Sequence, residues 1–150
     1  MTNAILLYNP FPTSNVETAT AAGAITPGHI VTYATATTVV AAATAAAVGE
    51  KIFADFNPHL NPSGTKAIDV AYASADTVYL LRPSTGAVVY AWLDAGGTAT
   101  FGSNLVIGTT DGTLLPATVD ANTLEGALIA RAEEAVTAGT VPARIKVRVY

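Results

Sequence analysis

The strictest alternation of apolar and polar residues in this chain lies at its end. From residue 144 to residue 150, Ile or Val alternates with Arg, Lys or Tyr. Successive side chains of a β-strand point to opposite faces, so this pattern predicts a strand with one core face and one basic face. The core face would carry Ile145, Val147 and Val149.

The other apolar runs are short and are separated by turn residues. Gly and Pro recur at short intervals from Pro27 to Pro142, which is typical of many short strands. The runs between them are rich in Val, Ile, Tyr and Thr and are predicted as strands at residues 67–72, 77–82, 87–93, 104–109 and 144–150. The fold class is therefore predicted to be all-β, a compact β-barrel-like or sandwich domain over residues 25–150.

The dipeptide Asp111-Gly112 has apolar runs on both sides. A two-residue type I′ turn needs two residues that tolerate positive φ, and Asp-Gly is a preferred pair for it. This spacing predicts the tip of a β-hairpin.

In two segments, the apolar residues follow neither a clear helix period nor a clear strand period. Residues 34–48 mix Ala, which favours helix, with Thr and Val, which favour strand, and are predicted as strand and loop. Residues 124–138 fit a short helix, but residues 126–130 fit a strand entering a turn equally well.

Residues 1–24 are predicted to be an extended N-terminal arm. Pro10 and Pro12 remove backbone donors, so the segment around Phe11 cannot sustain a helix or a central strand. The apolar patch of Ile5, Leu6, Leu7 and Tyr8 could add to a neighbouring subunit through main-chain hydrogen bonds. Alternatively, residues 4–8 form an edge strand of their own domain.

The composition of the chain argues against several classes of partner. Only 12% of the 150 residues are charged and the net charge is −4, so attraction to nucleic acid is not expected. The longest apolar stretch, residues 39–48, is about half the length of a membrane-spanning helix, and no secretory signal is predicted. The chain has no Cys, which excludes disulfides and thiolate metal sites.

No motif for catalysis, a cofactor or a metal is predicted. His29 and His59 are far apart in sequence, and a metal site would need a third ligand beside them. Residues 48–51 lack the spacing of a phosphate-binding loop. A hydrolase would need two carboxylates at a defined separation, whereas the aspartates are spread along the chain and are explained by turns and strand ends.

The polar face of the last predicted strand carries Arg144, Lys146 and Arg148. With Arg131, these are four of the seven Lys and Arg residues of an acidic chain. Such asymmetry can mark a face that docks on an acidic protein surface. The alternative is a solvated outer face that discourages wrong edge pairing.

Several segments, in this order and spacing, resemble the small capsid decoration, or cement, proteins of tailed bacteriophages. They are the motifs at residues 26–31, 86–97, 102–105, 111–113 and 144–149. The resemblance implies a β-barrel-like or β-tulip domain, often a homotrimer, on the exterior of the virion head, where it binds the major capsid protein and strengthens the shell. It implies assembly in the host cytoplasm and no catalytic residue. Residues 54–65 and the longer N-terminus depart from the family pattern.

Aromatic residues are candidate anchors for such an interface. Phe11 and Phe56 are the preferred contact candidates, and Phe53 is a further one. Trp92 and Tyr90 alternate with Ala91 and suit the barrel core as well as an interface, and Trp92 is expected in the core. Two other functions remain open. One is a glycan-binding β module of a fibre or a cell-surface assembly, and the other is a small hydrolase with an Asp pair.

Overall fold

The computed structural model describes residues 4–8, 10, 17–43, 50–59, 66–118 and 128–150. These residues form short β-strands and one 3-10 helix at Ala67–Asp69. The strands are β1 Leu6–Tyr8, β2 Glu17–Ala21, β3 Ile30–Tyr33, β4 Thr38–Ala41, β5 Ile52–Ala54, β6 Thr77–Leu81, β7 Val88–Leu93, β8 Thr98–Ala99, β9 Asn104–Ile107, β10 Leu114–Pro116, β11 Ala130–Ala132, β12 Val136–Thr137 and β13 Ala143–Val149.

The strands close into two barrels that follow each other along the chain. The N-terminal barrel has the order β2-β4-β3-β5-β6. The C-terminal barrel has the order β7-β10-β9-β11-β13, and the pairing of β7 with β13 completes the ring. Strand β1 adds to β7, and β8 pairs with β12 as a separate ribbon. The predicted all-β class is confirmed, and the barrel-like closure occurs twice.

Strands β3 and β5 belong to the N-terminal barrel but serve both cores. Val31, Ile52 and Ala54 pack in the core of their own barrel. Their neighbours Ile30 and Phe53 pack in the core cluster of the C-terminal barrel, and both are fully buried. The strands are apolar on both faces because each face meets a different core.

The predicted N-terminal arm, residues 1–24, contributes strands to both barrels. Leu6 and Tyr8 pair with β7, which is the arrangement expected if residues 4–8 belong to their own domain. Glu17–Ala21 pairs with β4 and β6 inside the N-terminal barrel. Phe11 and Pro12 lie outside the described residues.

Most of the predicted strands are confirmed. Strands β6, β7, β9 and β13 lie within the predicted ranges or begin one residue before them. The predicted strand at 67–72 is wrong, because Ala67–Asp69 forms a 3-10 turn that buries only Ile68. An isolated bridge between Ile25 and Tyr72 is the nearest strand pairing to it.

The predicted hairpin tip at Asp111 is confirmed, but its turn type is wrong. Strands β9 and β10 pair antiparallel across this turn, with Leu114 opposite Ile107. Among the described residues, Gly112 has φ +80° while Asp111 is not in the positive-φ region. Positive φ at the third position alone is the type II pattern, and the loop is longer than two residues.

The two ambiguous segments contain strands. Residues 38–41 form β4, and residues 44–49 lie outside the description. Residues 128–138 contain β11 and β12 and no helix, whereas residues 119–127 are not described. None of the helical structure in the described ranges is long and apolar enough to cross a membrane.

Replacing Phe53 with Ala should destabilise the protein strongly. The variant leaves a cavity between the two barrels, and Phe-to-Ala changes in cores cost about 3–5 kcal/mol. Phe101→Ala is the matched control, because Phe101 is 68% exposed and the change should stay within about 0.5 kcal/mol. Urea unfolding of both variants measures the difference. Equal free energies of unfolding would contradict the role given to Phe53.

Candidate interaction surfaces

The predicted basic face of β13 is present, and it faces aromatic residues of β7. The pairing register places Arg144 opposite Trp92 and Lys146 opposite Tyr90. The Arg144 guanidinium lies 4.3 Å from the Trp92 ring centre, and the Lys146 ammonium lies 5.7 Å from the ring centre of Tyr90. Both distances are within the range of cation–π attraction.

Each of these cations also has a carboxylate partner. Arg144 lies 3.3 Å from Asp69, and Lys146 lies 3.6 Å from Glu134. Arg148 donates two hydrogen bonds to Glu133, at 2.8 and 3.1 Å. The positive charge that is concentrated in the sequence is therefore largely balanced within the fold. Since β13 has β7 on one side and β11 on the other, the interpretation of its charges as edge protection is wrong.

The side chain of Arg144 joins the two barrels. It lies on β13 and donates hydrogen bonds to the Ile68 carbonyl and to Asp69, which belong to the N-terminal half. Its Nε and Nη1 atoms are buried without a hydrogen-bond partner in the described structure. Stacking on Trp92 supplies the stabilisation that those atoms do not obtain from hydrogen bonds.

Trp92 and Phe53 have exchanged the positions expected for them. Trp92 was predicted in the barrel core, but it is half-buried on the outer face of β7 and its indole N–H donates to the Pro27 carbonyl at 2.9 Å. Phe53 was a candidate contact residue, but it is fully buried between the barrels. Both aromatics therefore hold the barrels together.

Gly28 allows the two barrels to approach closely at this junction. It has φ +91°, and a Cβ placed on it would lie 2.7 Å from Arg144 Nη1 and 2.7 Å from the Tyr90 carbonyl oxygen. The Tyr90 oxygen is backbone and cannot move aside cheaply. Only a residue without a side chain fits between the barrels at this position.

His29 is half-buried beside Gly28, and its Nδ1 accepts a hydrogen bond from the Thr26 N–H at 3.3 Å. Its backbone bonds to Ala54, and its ring packs where a side chain on Gly112 would lie. Burial, together with the positive charge of Arg144, lowers the pKa of His29 to about 4. His59 is exposed and lies 6.1 Å from the ring of Tyr79. In the described ranges, no group of three His, Cys, Asp or Glu side chains could hold a metal ion.

Asp94 is the buried carboxylate among the described aspartates. Burial favours its neutral form, but hydrogen bonds from Thr109 and Thr110 outweigh that effect and hold the pKa of Asp94 well below its usual range. The backbone N–H groups of both threonines and the Thr109 hydroxyl donate to one of its oxygens. Asp94 is thus an acceptor that fixes the loop after β9.

The remaining contact candidates differ in exposure. Ile5 is fully buried, and Leu6, Leu7 and Phe56 are half-buried. Tyr8 is 55% exposed. Phe11 lies outside the described residues.

Two exposed aromatics were missed by the sequence reasoning. Phe101 is 68% exposed at a turn before β9, and Tyr150 is 40% exposed at the end of β13. The alternation of the last strand places Tyr150 on its polar face, beside the charged residues. The Phe101-Gly102-Ser103 sequence signals a turn, and an aromatic residue in a turn is the clue that was available.

An open cleft of about 330 Å³ lies where the two barrels meet beside Tyr150. Its lining residues come from both halves: Glu50, Lys51, Arg82, Pro83, Thr85 and Tyr150. Lys51 donates to the Tyr150 carbonyl at 2.8 Å, and Arg82 is paired with Glu50. Arg82 also donates two hydrogen bonds to Glu17, so these charged groups are held by ion pairs and hydrogen bonds within the fold.

These features define an all-β protein of two fused five-stranded barrels. No protein-family model matches the chain, and no curated protein matches it significantly. Among solved structures, the chain is similar to the head fiber gp8.5 N base of bacteriophage phi29, with a TM-score of 0.54 and 16% sequence identity. The match covers 91% of this chain and 93% of that chain. At this identity, the likeness establishes a shared fold.

Gly28→Ala should destabilise the junction more than a comparable glycine change elsewhere. Alanine at positive φ costs about 1–2 kcal/mol, and overlap with fixed neighbours adds about 1–3 kcal/mol. Gly102→Ala is the control, since Gly102 has φ +87° and no atom within 4 Å of an added Cβ. Thermal and urea unfolding of the two variants separate the cost of alanine at positive φ from the cost of overlap with fixed neighbours. If both variants lose the same stability, the junction is not tight at Gly28.

The stability of the protein should depend on His29 in mildly acidic solution. The folded pKa lies below the unfolded value of about 6.5, so the unfolded chain takes up the proton first and stability falls between pH 6.5 and pH 4. In His29→Gln, the free energy of unfolding should fall less steeply across this window. His59→Gln, which changes the exposed histidine, should keep the wild-type slope. Identical slopes for all three proteins would refute burial of a neutral His29.

Proposed function

We propose that this protein is a structural component of a phage virion and binds the outer surface of the head. The observation that carries the proposal is the two-barrel fold, which spans nearly the whole chain and is shared with the head fiber base of phi29. The motifs that resemble phage decoration proteins point independently to the same particle. The two lines of support agree on the virion head, although they suggest different structures on it.

Within that role, we favour a cement function. A decoration protein that touches two major capsid protein subunits at once gains affinity from the second contact without new chemistry. Two contacts of about 10 μM each, joined at an effective concentration of about 1 mM, would give an overall constant of about 0.1 μM. A homotrimer on the capsid exterior would multiply this effect further.

A sparsely charged surface suits such a lattice contact. Charged residues are 12% of the chain, and the cations of β13 are paired with Asp69, Glu133 and Glu134. Few charges must then lose water when the surface is covered, which lowers the cost of burial. The candidate contact residues are Tyr8 and Phe11, with Arg148 at the rim.

A second candidate is the base of a head fiber. The similarity to the head fiber base of phi29 favours it. The base and the cement protein would both bind the head but differ in geometry. A cement protein spans the boundary between capsomers, whereas a fiber base occupies one point and carries a projection.

Binding to heads tests the proposal directly. Heads of the phage that encodes this chain, prepared without it, are mixed with purified protein and separated by sedimentation. We expect saturable binding, density on the outer surface by electron cryomicroscopy, and a higher temperature of genome release from occupied heads. Density that joins neighbouring capsomers supports cement, and isolated projections support a fiber base.

The control is the Phe53→Ala variant, which removes the shared core and should lose binding as it unfolds. Absence of wild-type binding to heads would refute the proposed function. Binding of the wild-type protein to a glycan array, without binding to heads, would favour the glycan-binding alternative instead.

A further inference from the structure

The large apolar side chains on the surface are unevenly distributed between the two barrels. Among the described residues, four are strongly exposed: Tyr8, Phe101, Val141 and Tyr150. Tyr8 lies on the strand that adds to β7, and the other three lie in the C-terminal half. The described part of the N-terminal barrel exposes no large apolar side chain. Exposed apolar side chains indicate an interaction face where they lie together in one patch.

The strand register brings several of these residues into one row. Asn104 is opposite Arg131, Arg131 is opposite Arg148, Arg148 is opposite Val88, and Val88 is opposite Tyr8. With neighbouring strands about 4.8 Å apart, the row extends over at most about 19 Å. The outer face of the C-terminal barrel therefore carries polar and aromatic side chains side by side.

Tyr150 and Phe101 adjoin the Asn104 end of this row. The Tyr150 hydroxyl is hydrogen-bonded to the Asn104 side chain. Phe101 directly precedes Gly102, whose N–H bonds to the Ala132 carbonyl at 2.9 Å, next to Arg131. We call Tyr8, Phe101, Arg131, Arg148 and Tyr150 the aromatic–arginine face. Tyr and Arg are the residues most enriched among those that dominate protein–protein binding energy.

The charge on this face is positive and is centred on Arg131. Arg131 and Arg148 are directly opposite each other and share one carboxylate, Glu133. Arg148 takes that carboxylate in a two-point contact and also donates to the Gly86 carbonyl at 2.9 Å. Arg131 reaches Glu133 by one contact of 3.4 Å, and its side chain is 44% exposed. The complementary surface is a carboxylate flanked by apolar groups.

The turn that carries Phe101 is closed by hydrogen bonds. The Ser103 N–H donates to the Thr100 carbonyl at 3.0 Å, and the Thr100 N–H donates to the Ser103 hydroxyl at 3.0 Å. Gly102 adopts φ +87°, as the third position of this turn requires. A fixed turn loses little conformational freedom on binding, so more of the contact energy appears as affinity.

We propose that the aromatic–arginine face of the C-terminal barrel is the surface that docks on the phage head. Its partner is a protein surface that presents an Asp or Glu carboxylate to Arg131 and an apolar pocket to Phe101, and the N-terminal barrel points away from the shell. This inference rests on the proposed function and adds the orientation of the molecule and the chemistry of its partner.

Affinity for heads that lack the protein, measured for a set of surface variants, tests the inference. Phe101→Ala and Arg131→Glu should each weaken binding at least tenfold. Val141→Ala is the matched control for the first variant, because Val141 is also 68% exposed but lies outside the face. Lys66→Glu is the matched charge reversal on the N-terminal half. Both controls should bind within twofold of wild type, and all four variants should keep the wild-type melting temperature.

Salt gives a second readout that a folding defect would not produce. Wild-type affinity should fall as salt rises, because the pair between Arg131 and the shell carboxylate is screened. In Arg131→Glu, this decrease should disappear or reverse.

The possible results separate this inference from the function on which it rests. Wild-type binding with unchanged affinity in Phe101→Ala and Arg131→Glu overturns the docking face and leaves the virion role standing. Loss of binding in Lys66→Glu alone places the shell contact on the opposite barrel and also overturns it. No wild-type binding overturns both. If a soluble glycan displaces the wild-type protein from heads, the partner is a sugar and the inference of a protein surface fails.

Discussion

The structure depends on the burial of strands β3 and β5 from both sides. Ile30 and Phe53 point into the core of the C-terminal barrel while Val31, Ile52 and Ala54 point into the core of their own barrel, so residues of the N-terminal barrel complete the C-terminal core. Full burial of an aliphatic or aromatic side chain is worth about 1.5–3 kcal/mol. The two residues that enter the other core thus contribute several kcal/mol to the contact between the barrels.

Polar contacts at the junction fix the orientation of one barrel relative to the other. Hydrogen bonds from Ile30 to Gly112 and from Gly112 to Ala42 join backbone to backbone across the barrels, at 3.0 and 2.8 Å. The Arg144 and Trp92 side chains add hydrogen bonds from the C-terminal barrel to the backbone carbonyls of Ile68 and Pro27. Apolar burial alone would permit rotation between the barrels, whereas these bonds are directional and select one orientation. A fixed orientation is what allows one barrel to present its outer face to a large partner.

Local patterns in the sequence were sufficient to predict the strands but not the way in which the strands close into two barrels. The alternation from Arg144 to Tyr150 predicted β13 and its faces correctly, because alternation follows directly from strand geometry. The second barrel and the place of Trp92 were not predictable, since they depend on residues such as Pro27 that are 65 positions away. The same holds for the basic residues of β13. The alternation places three cations on one face of β13. Their partners Asp69, Glu133 and Glu134 become neighbours only through the fold.

The order of the two barrels along the chain has a consequence for biosynthesis. All five strands of the N-terminal barrel leave the ribosome before β7, whereas β1 emerges first and its pairing partner only about 80 residues later. The early barrel can therefore close during translation, but Ile30 and Phe53 stay exposed to solvent on its outer wall until β13 has been made. An apolar surface that stays exposed during translation is a site for chaperone binding or for premature contact between nascent copies.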